Sequence, residues 1–125
     1  MPEIKQVILV RKDLKLRRAA FAAMVAKASF GFLLENNDAD RDDELKVSLT
    51  GSESQWLFGN SKRIVLNVDS EDALRRIANR AELEGISTYS LTKQSSEMSD
   101  ELMCLTLGPD EESIIDQLTS NLKLA

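Results

Sequence analysis

The side chains with the longest chemical reach in this chain are cations, and they are crowded. Arg11, Lys12, Lys15, Arg17, Arg18 and Lys27 fall in one segment whose only acid is Asp13. Guanidinium and ammonium groups at that density suit phosphates or an acidic surface. The sign then reverses: Glu35, Asp38, Asp40, Asp42, Asp43 and Glu44 face only Arg41, a run read as a solvated loop or helix start. Proton chemistry is harder to find. The 125 residues contain no histidine, so the commonest general base and a frequent metal ligand are both missing. A lysine such as Lys27 or Lys93 replaces it only when desolvated or set beside another cation. Cys104 stands alone in the apolar run Leu102 to Leu107 and reads as a small buried hydrophobe, which excludes an internal disulfide and any multi-Cys metal site. Neither metal nor cofactor is expected, and a reducing, cytoplasmic setting is.

These groups must be positioned by one domain spanning residues 1–125, with the 42% hydrophobic and 30% charged composition of an ordinary globular protein. The net charge of -5 argues against indiscriminate nucleic-acid binding, although a local basic patch can outvote the average. No apolar stretch reaches membrane-spanning length and nothing near the N-terminus resembles a signal peptide, so no membrane partner is expected.

Ile4 to Val10 is apolar and β-branched, as in a strand buried on both faces. Leu16 to Leu34 reads as an Ala-rich helix capped by Asp13 and closed by Asn36-Asn37-Asp38. Its apolar residues occur nearly all round, which implies close packing on one side and something unusual on the other. Asp42 to Leu49 is a candidate helix, and Glu53 to Phe58 one more turn ending at Gly59, with Trp56, Leu57 and Phe58 anchoring the connection to the core. Strands at Ile64–Val68, Ser87–Thr92 and Leu102–Leu107 follow, the last closed by Gly108-Pro109. Asp69-Ser70 caps a helix over Glu71–Glu84 that stops at Gly85, and Asp110 caps a last helix over Glu111–Leu122. The order predicts an α/β fold: three layers, α/β/α, around a small four-stranded mixed sheet.

That order, with VILVRKDLK, AFAAMVAKAS, SQWLFGNSKRIVLNVDSEDAL, AELEGISTYSLT and CLTLGPDEESIIDQLTSNLKL, resembles the type-2 (archaeal and eukaryotic-type) peptidyl-tRNA hydrolases over almost the whole chain. Framework motifs stand where that family has them: Arg11-x-Asp13-Leu14, Ala22-Ala23, Trp56-Leu57, Gly108-Pro109 and Leu122-Lys123-Leu124. The resemblance implies cleavage, without metal, of the ester joining a peptide to the terminal ribose of tRNA. The departures fall on the implied active site. Where the family pattern reads Gly-Lys-x-Ala-Ala-Gln-x-x-His-Ala, its lysine is Ala20, its glutamine Met24 and its histidine Lys27. In its second motif, Asp-Ala-Gly-x-Thr, the aspartate is Lys93 and the threonine Glu97, and the connection onward is shorter.

Ester hydrolysis needs a base or oriented water and a donor for the oxyanion, and losing one member of such a set commonly costs about 10²-fold or more in rate. Here the whole set is replaced. At helical spacing Arg17, Ala20, Phe21, Met24, Lys27, Ala28 and Gly31 share a stripe. An apolar patch of Ala20, Phe21, Met24 and Met98, rimmed by Arg17, Arg18, Lys27 and Lys93, has the anatomy of a protein-binding surface. The expectation is therefore an inactive relative, a natural pseudoenzyme or an engineered binder on this scaffold, that holds a protein partner, acidic in character, on the former active-site face. Against it stand three readings: Phe21 and Met24 pointing into the core, a divergent hydrolase or tRNA-binding relative using the cations at 11 to 18 for phosphate contacts, and an orphan domain with no partner on this face; the sequence leaves open whether the chain forms a homo-dimer through the same patch.

Overall fold

A computed structural model describes residues 2–94 and 100–125. Strand β1, Ile4–Arg11, is buried along its whole length, as a strand covered on both faces must be. One turn of 3-10 helix, Lys12–Leu14, leads to Lys15 in the left-handed region (φ 50°) and then to helix α1, Arg18–Glu35. Helix α2 spans Gly51–Phe58, strand β2 Arg63–Val68 and helix α3 Glu71–Leu83. Strands β3, Thr88–Gln94, and β4, Asp100–Glu111, precede helix α4, Glu112–Thr119. The strands order as β2-β1-β4-β3. β1 runs parallel to β2 with Ile8 opposite Val65, and antiparallel to β4 with Ile8 opposite Thr106. β4 also pairs antiparallel with β3, so the sheet is mixed, as the element order predicts.

The alternation of β1 separates two cores. Val7 and Leu9 pack with Leu74 and Ala81 of α3 and Ile115 and Leu118 of α4, while Ile8 and Val10 face Ala28 of α1. A third cluster joins Ile4, Phe32 and Trp56, the two rings edge to face at 5.9 Å. The molecule is thus the expected three-layer α/β/α sandwich.

Several local expectations are corrected. Asp13 does not cap α1, whose first residues have no side-chain cap; its carboxylate instead accepts from Arg11 Nε (3.0 Å) and Nη2 (2.8 Å). A charge-assisted pair with a neighbouring guanidinium outcompetes a cap on a helix that begins only at Arg18. Asp42 to Leu49 is not helical: Asn37 Oδ1 accepts from the backbone N–H groups of Ala39 (3.0 Å) and Lys46 (2.8 Å), which ties the segment into a loop. The α2 turn is a full helix with a Thr50–Glu53 capping box, and Trp56 and Leu57 anchor it, but Phe58 points to solvent at 80% exposure. Gly108-Pro109 does not end β4, because pairing with β1 resumes at Lys5 opposite Asp110 after a bulge. Asp110 caps nothing, since its carboxylate accepts from Glu111 N at 2.7 Å; α4 starts one residue later than expected and ends at Thr119.

Candidate functional site

Helix α1 is seated on the sheet by a buried polar network. The Gln6 amide donates to Ser29 O (2.7 Å) and accepts from the Ser29 hydroxyl (2.7 Å), which in turn accepts from Arg63 Nε (2.7 Å). Thr106 Oγ1 donates to Ala28 O at 2.9 Å, and Arg63 lies over the Trp56 ring at 4.8 Å. On the opposite edge of the helix, Gly31 lets the Tyr89 ring of β3 pack directly on the backbone, where a Cβ would collide with it. These contacts fix both the rotation and the height of α1. Gln6, beside the apolar run Val7 to Val10 of β1, was the sequence's sign of them.

With α1 so placed, the stripe read from the sequence divides. Ala28 and Gly31 are buried, Phe21 and Met24 are half-buried against Ile8, Val10 and Cys104, and Arg17, Arg18, Ala20 and Lys27 are exposed. The core alternative therefore holds in part for Phe21 and Met24, which fill the gap between helix and sheet with one side and keep the other toward solvent. Leu91 of β3 packs in the same cluster as Phe21 and Met24, and Gly31 and Tyr89 bring the same helix and strand together. Ala20 and Lys27 are exposed on α1 within a turn of Met24, and Lys93 is exposed two residues beyond Leu91, so it is only these neighbours that place them along the groove between α1 and the end of β3. Glu97 and Met98 lie outside the described residues.

Two cations of the basic segment are neutralised internally. Arg11, only 8% exposed, holds Asp13, Glu101 Oε1 (2.7 Å) and the carbonyl of Leu102 (3.1 Å). The Asp13 hydrogen bond, outweighing desolvation and helped by Glu101, raises the guanidinium pKa, and the same bond pulls the Asp13 carboxyl below its ordinary range. Lys12 pairs with Asp69 at 3.1 Å. Among the described residues, no ion pair forms to Lys15, Arg17, Arg18 or Lys27. The role of Glu101, separated from Arg11 by most of the chain, was not visible in the sequence.

The chemistry available in this groove is narrow. Lys27 and Lys93 are both exposed, so burial strips neither of its water. Cys104 is fully buried behind α1, and burial pushes its thiol up to about 12, so it offers no thiolate. Among the described residues, no three His, Cys, Asp or Glu side chains converge to hold a metal ion. A hollow of about 170 Å³ between Lys15, Leu16, Phe21 and Asn67 adjoins the basic end of the helix. A larger one, about 680 Å³, lies at the other end, lined by Glu35, Asp38, Glu53 and Asp110, and shares none of the groove residues. No helix of the described residues is long and apolar enough to cross a membrane.

Comparison with known proteins identifies the family to which this chain belongs. The family described as Peptidyl-tRNA hydrolase PTH2 matches residues 4–125. The chain belongs to that family. Relatives named peptidyl-tRNA hydrolase include proteins from Haloquadratum walsbyi and Methanothermobacter thermautotrophicus, each 32% identical over 97% of this chain and 99% of the relative. Another, from Nanoarchaeum equitans, is 35% identical over 97% of this chain and 98% of its own length.

Proposed function

We propose that this chain is a member of the peptidyl-tRNA hydrolase family that binds the acceptor end of tRNA in the groove between α1 and β3 without hydrolysing it. The observation that carries this reading is the pairing pattern of the cations. Lys15, Arg17 and Arg18 at the start of α1 and Lys27 within it are exposed with no carboxylate partner among the described residues, while Ala20 and Met24 offer neither charge nor hydrogen bond between them. Such a surface attracts phosphate and supplies nothing to activate water. The half-burial of Phe21 and Met24 shifts the balance toward an anionic ligand, because a protein anchor needs those side chains free. A protein partner with acidic residues is the second reading, favoured by the apolar side that Met24 and Ala20 still present beside the cations.

Two measurements test the proposal. Peptidyl-tRNA turnover should lie at least about 10²-fold below that of an archaeal relative assayed alongside; turnover within about tenfold of it sinks the loss of chemistry. Fluorescence anisotropy with deacylated tRNA should show salt-sensitive binding that Arg18→Glu with Lys27→Glu abolishes. If tRNA does not bind while an acidic protein does, and the same double variant releases it, the second reading replaces the first.

A further inference from the structure

β1 and β2 run parallel, and Val10 stands opposite Asn67 near the carboxyl ends of both. With Leu16 and Phe21 they line the hollow of about 170 Å³ at the basic end of α1. This hollow lies toward β2 and the groove toward β3, at opposite edges of the sheet. Lys15 closes the corner in the left-handed conformation (φ 50°), which is strained for a residue with a Cβ. Its N–H donates to Lys12 O at 3.2 Å, so the chain from Lys12 to Leu16 curls around the opening. At roughly 30 Å³ per water molecule the space holds about five or six waters, well below the ~300 Å³ at which pockets for larger ligands begin. A single flat ring system fits it.

The walls specify more than size. Val10 and Leu16 are apolar, and Phe21 is half-buried, packed on one side and open on the other, which suits stacking against a planar ring. The polar contact comes from one amide. Asn67 donates its backbone N–H to Lys123 O (2.8 Å) and a side-chain N–H to Leu124 O (3.3 Å), and its Oδ1 accepts no bond among the described residues. That oxygen and the second side-chain N–H form an acceptor and donor held side by side. No acid lines the hollow, so an amine or zwitterion finds no counter-charge there. Of the cations that line it, Arg11 is engaged by Asp13 and Glu101, and Lys12 by Asp69. Lys15 has no carboxylate partner among the described residues and is left for an anion at the mouth.

We propose that this hollow is a site for an adenine nucleotide, the base stacked on Phe21 and its phosphate held by Lys15. The edges match. Asn67 Oδ1 accepts from the N6 amino group of adenine while the amide N–H donates to N7, whereas guanine turns two acceptors, O6 and N7, to the same edge. A free nucleotide and the terminal adenosine of tRNA both present this base beside a phosphate. The site stands apart from the groove, and its occupation requires neither tRNA binding nor loss of hydrolysis there.

Titration of the whole isotope-labelled chain with adenosine monophosphate, followed by NMR, tests the assignment. Saturable shifts are expected at the Asn67 side-chain amide and at Lys15 and Leu16, with guanosine monophosphate at least about fivefold weaker. Asn67→Leu should weaken adenosine monophosphate at least about fivefold and erase its advantage over the guanine nucleotide, and Phe21→Leu should weaken both. Anisotropy distinguishes the two sources. If tRNA with its terminal adenosine binds at least about fivefold tighter than the same tRNA shortened by that nucleotide, and Asn67→Leu removes the difference, the tRNA end is the ligand. With adenosine monophosphate bound, equal binding of the two tRNAs, or none, makes the free nucleotide the ligand. The proposal is overturned if adenosine monophosphate gives no saturable shift and the terminal adenosine adds nothing to tRNA binding. Equal binding of the guanine nucleotide overturns it too, as does a preference for adenine that survives Asn67→Leu. If Asn67→Leu unfolds the chain, the two nucleotides and Phe21→Leu decide alone.

Discussion

Arg11 is one of six crowded cations in the sequence, and in the fold its charge is directed inward to Asp13 and Glu101. The difference matters for pH dependence. Because Arg11 depresses the folded-state pKa of Asp13, the unfolded chain takes up its proton first as pH falls. The pair's contribution is therefore complete above the ordinary carboxylate range and is lost below about pH 4 as pH drops toward the folded value. Glu71, lowered by the Leu102 N–H group and by Arg75, acts with the same sign. Asp13→Asn should cost about 1 kcal/mol at neutral pH, a figure reduced for a carboxylate that is 41% exposed. Urea unfolding of both proteins should show that gap closing as pH falls toward about 3. A gap that stays constant or widens in acid would show that Asp13 acts through its shape and not its charge. The partner of Asp13 two residues away could be suspected from sequence; Glu101 could not, because long-range ion pairs leave no local pattern.

At the scale of elements, periodicity and breakers located nearly every helix and strand, because one face of each had to be apolar or, in β1, both. The errors came where local chemistry competes with the pattern. Asn37 bonding to two backbone N–H groups kept residues after Asp42 out of a helix, and a bulge carried β4 past Gly108-Pro109. The candidate site was less legible than the fold. The shared stripe of α1 was readable, but how far it rolls toward the sheet depends on Gln6, Ser29 and the Gly31–Tyr89 contact, which only the assembled structure brings together. That contact is testable. Gly31→Ala places a methyl group in the Tyr89 ring and should cost about 1–3 kcal/mol by thermal unfolding, despite the higher helix propensity of alanine. In the Tyr89→Ala background the same change should be neutral or stabilising. Equal costs in both backgrounds would mean that Tyr89 does not set the position of α1.

At the scale of the molecule, the frame and the site have separate fates. The sheet, the three layers and family membership over residues 4–125 are all present, while the groove residues differ from the pattern implied by the family resemblance. Folding depends on the core rather than on exposed positions, so different residues at the groove need not disturb the frame. If the loss of chemistry lies only in those side chains, it should be reversible. Ala20→Lys, Met24→Gln, Lys27→His and Lys93→Asp together restore the described positions of the set, and three of the four are exposed, so the fold should tolerate them. The fourfold variant should gain peptidyl-tRNA turnover of at least about 10²-fold over the parent chain, with Lys27→His alone giving little, because such groups act as a unit. No gain from a folded variant that still binds tRNA would place the defect outside these four side chains, in the unrestored position of Glu97 or in the height of α1 against β3.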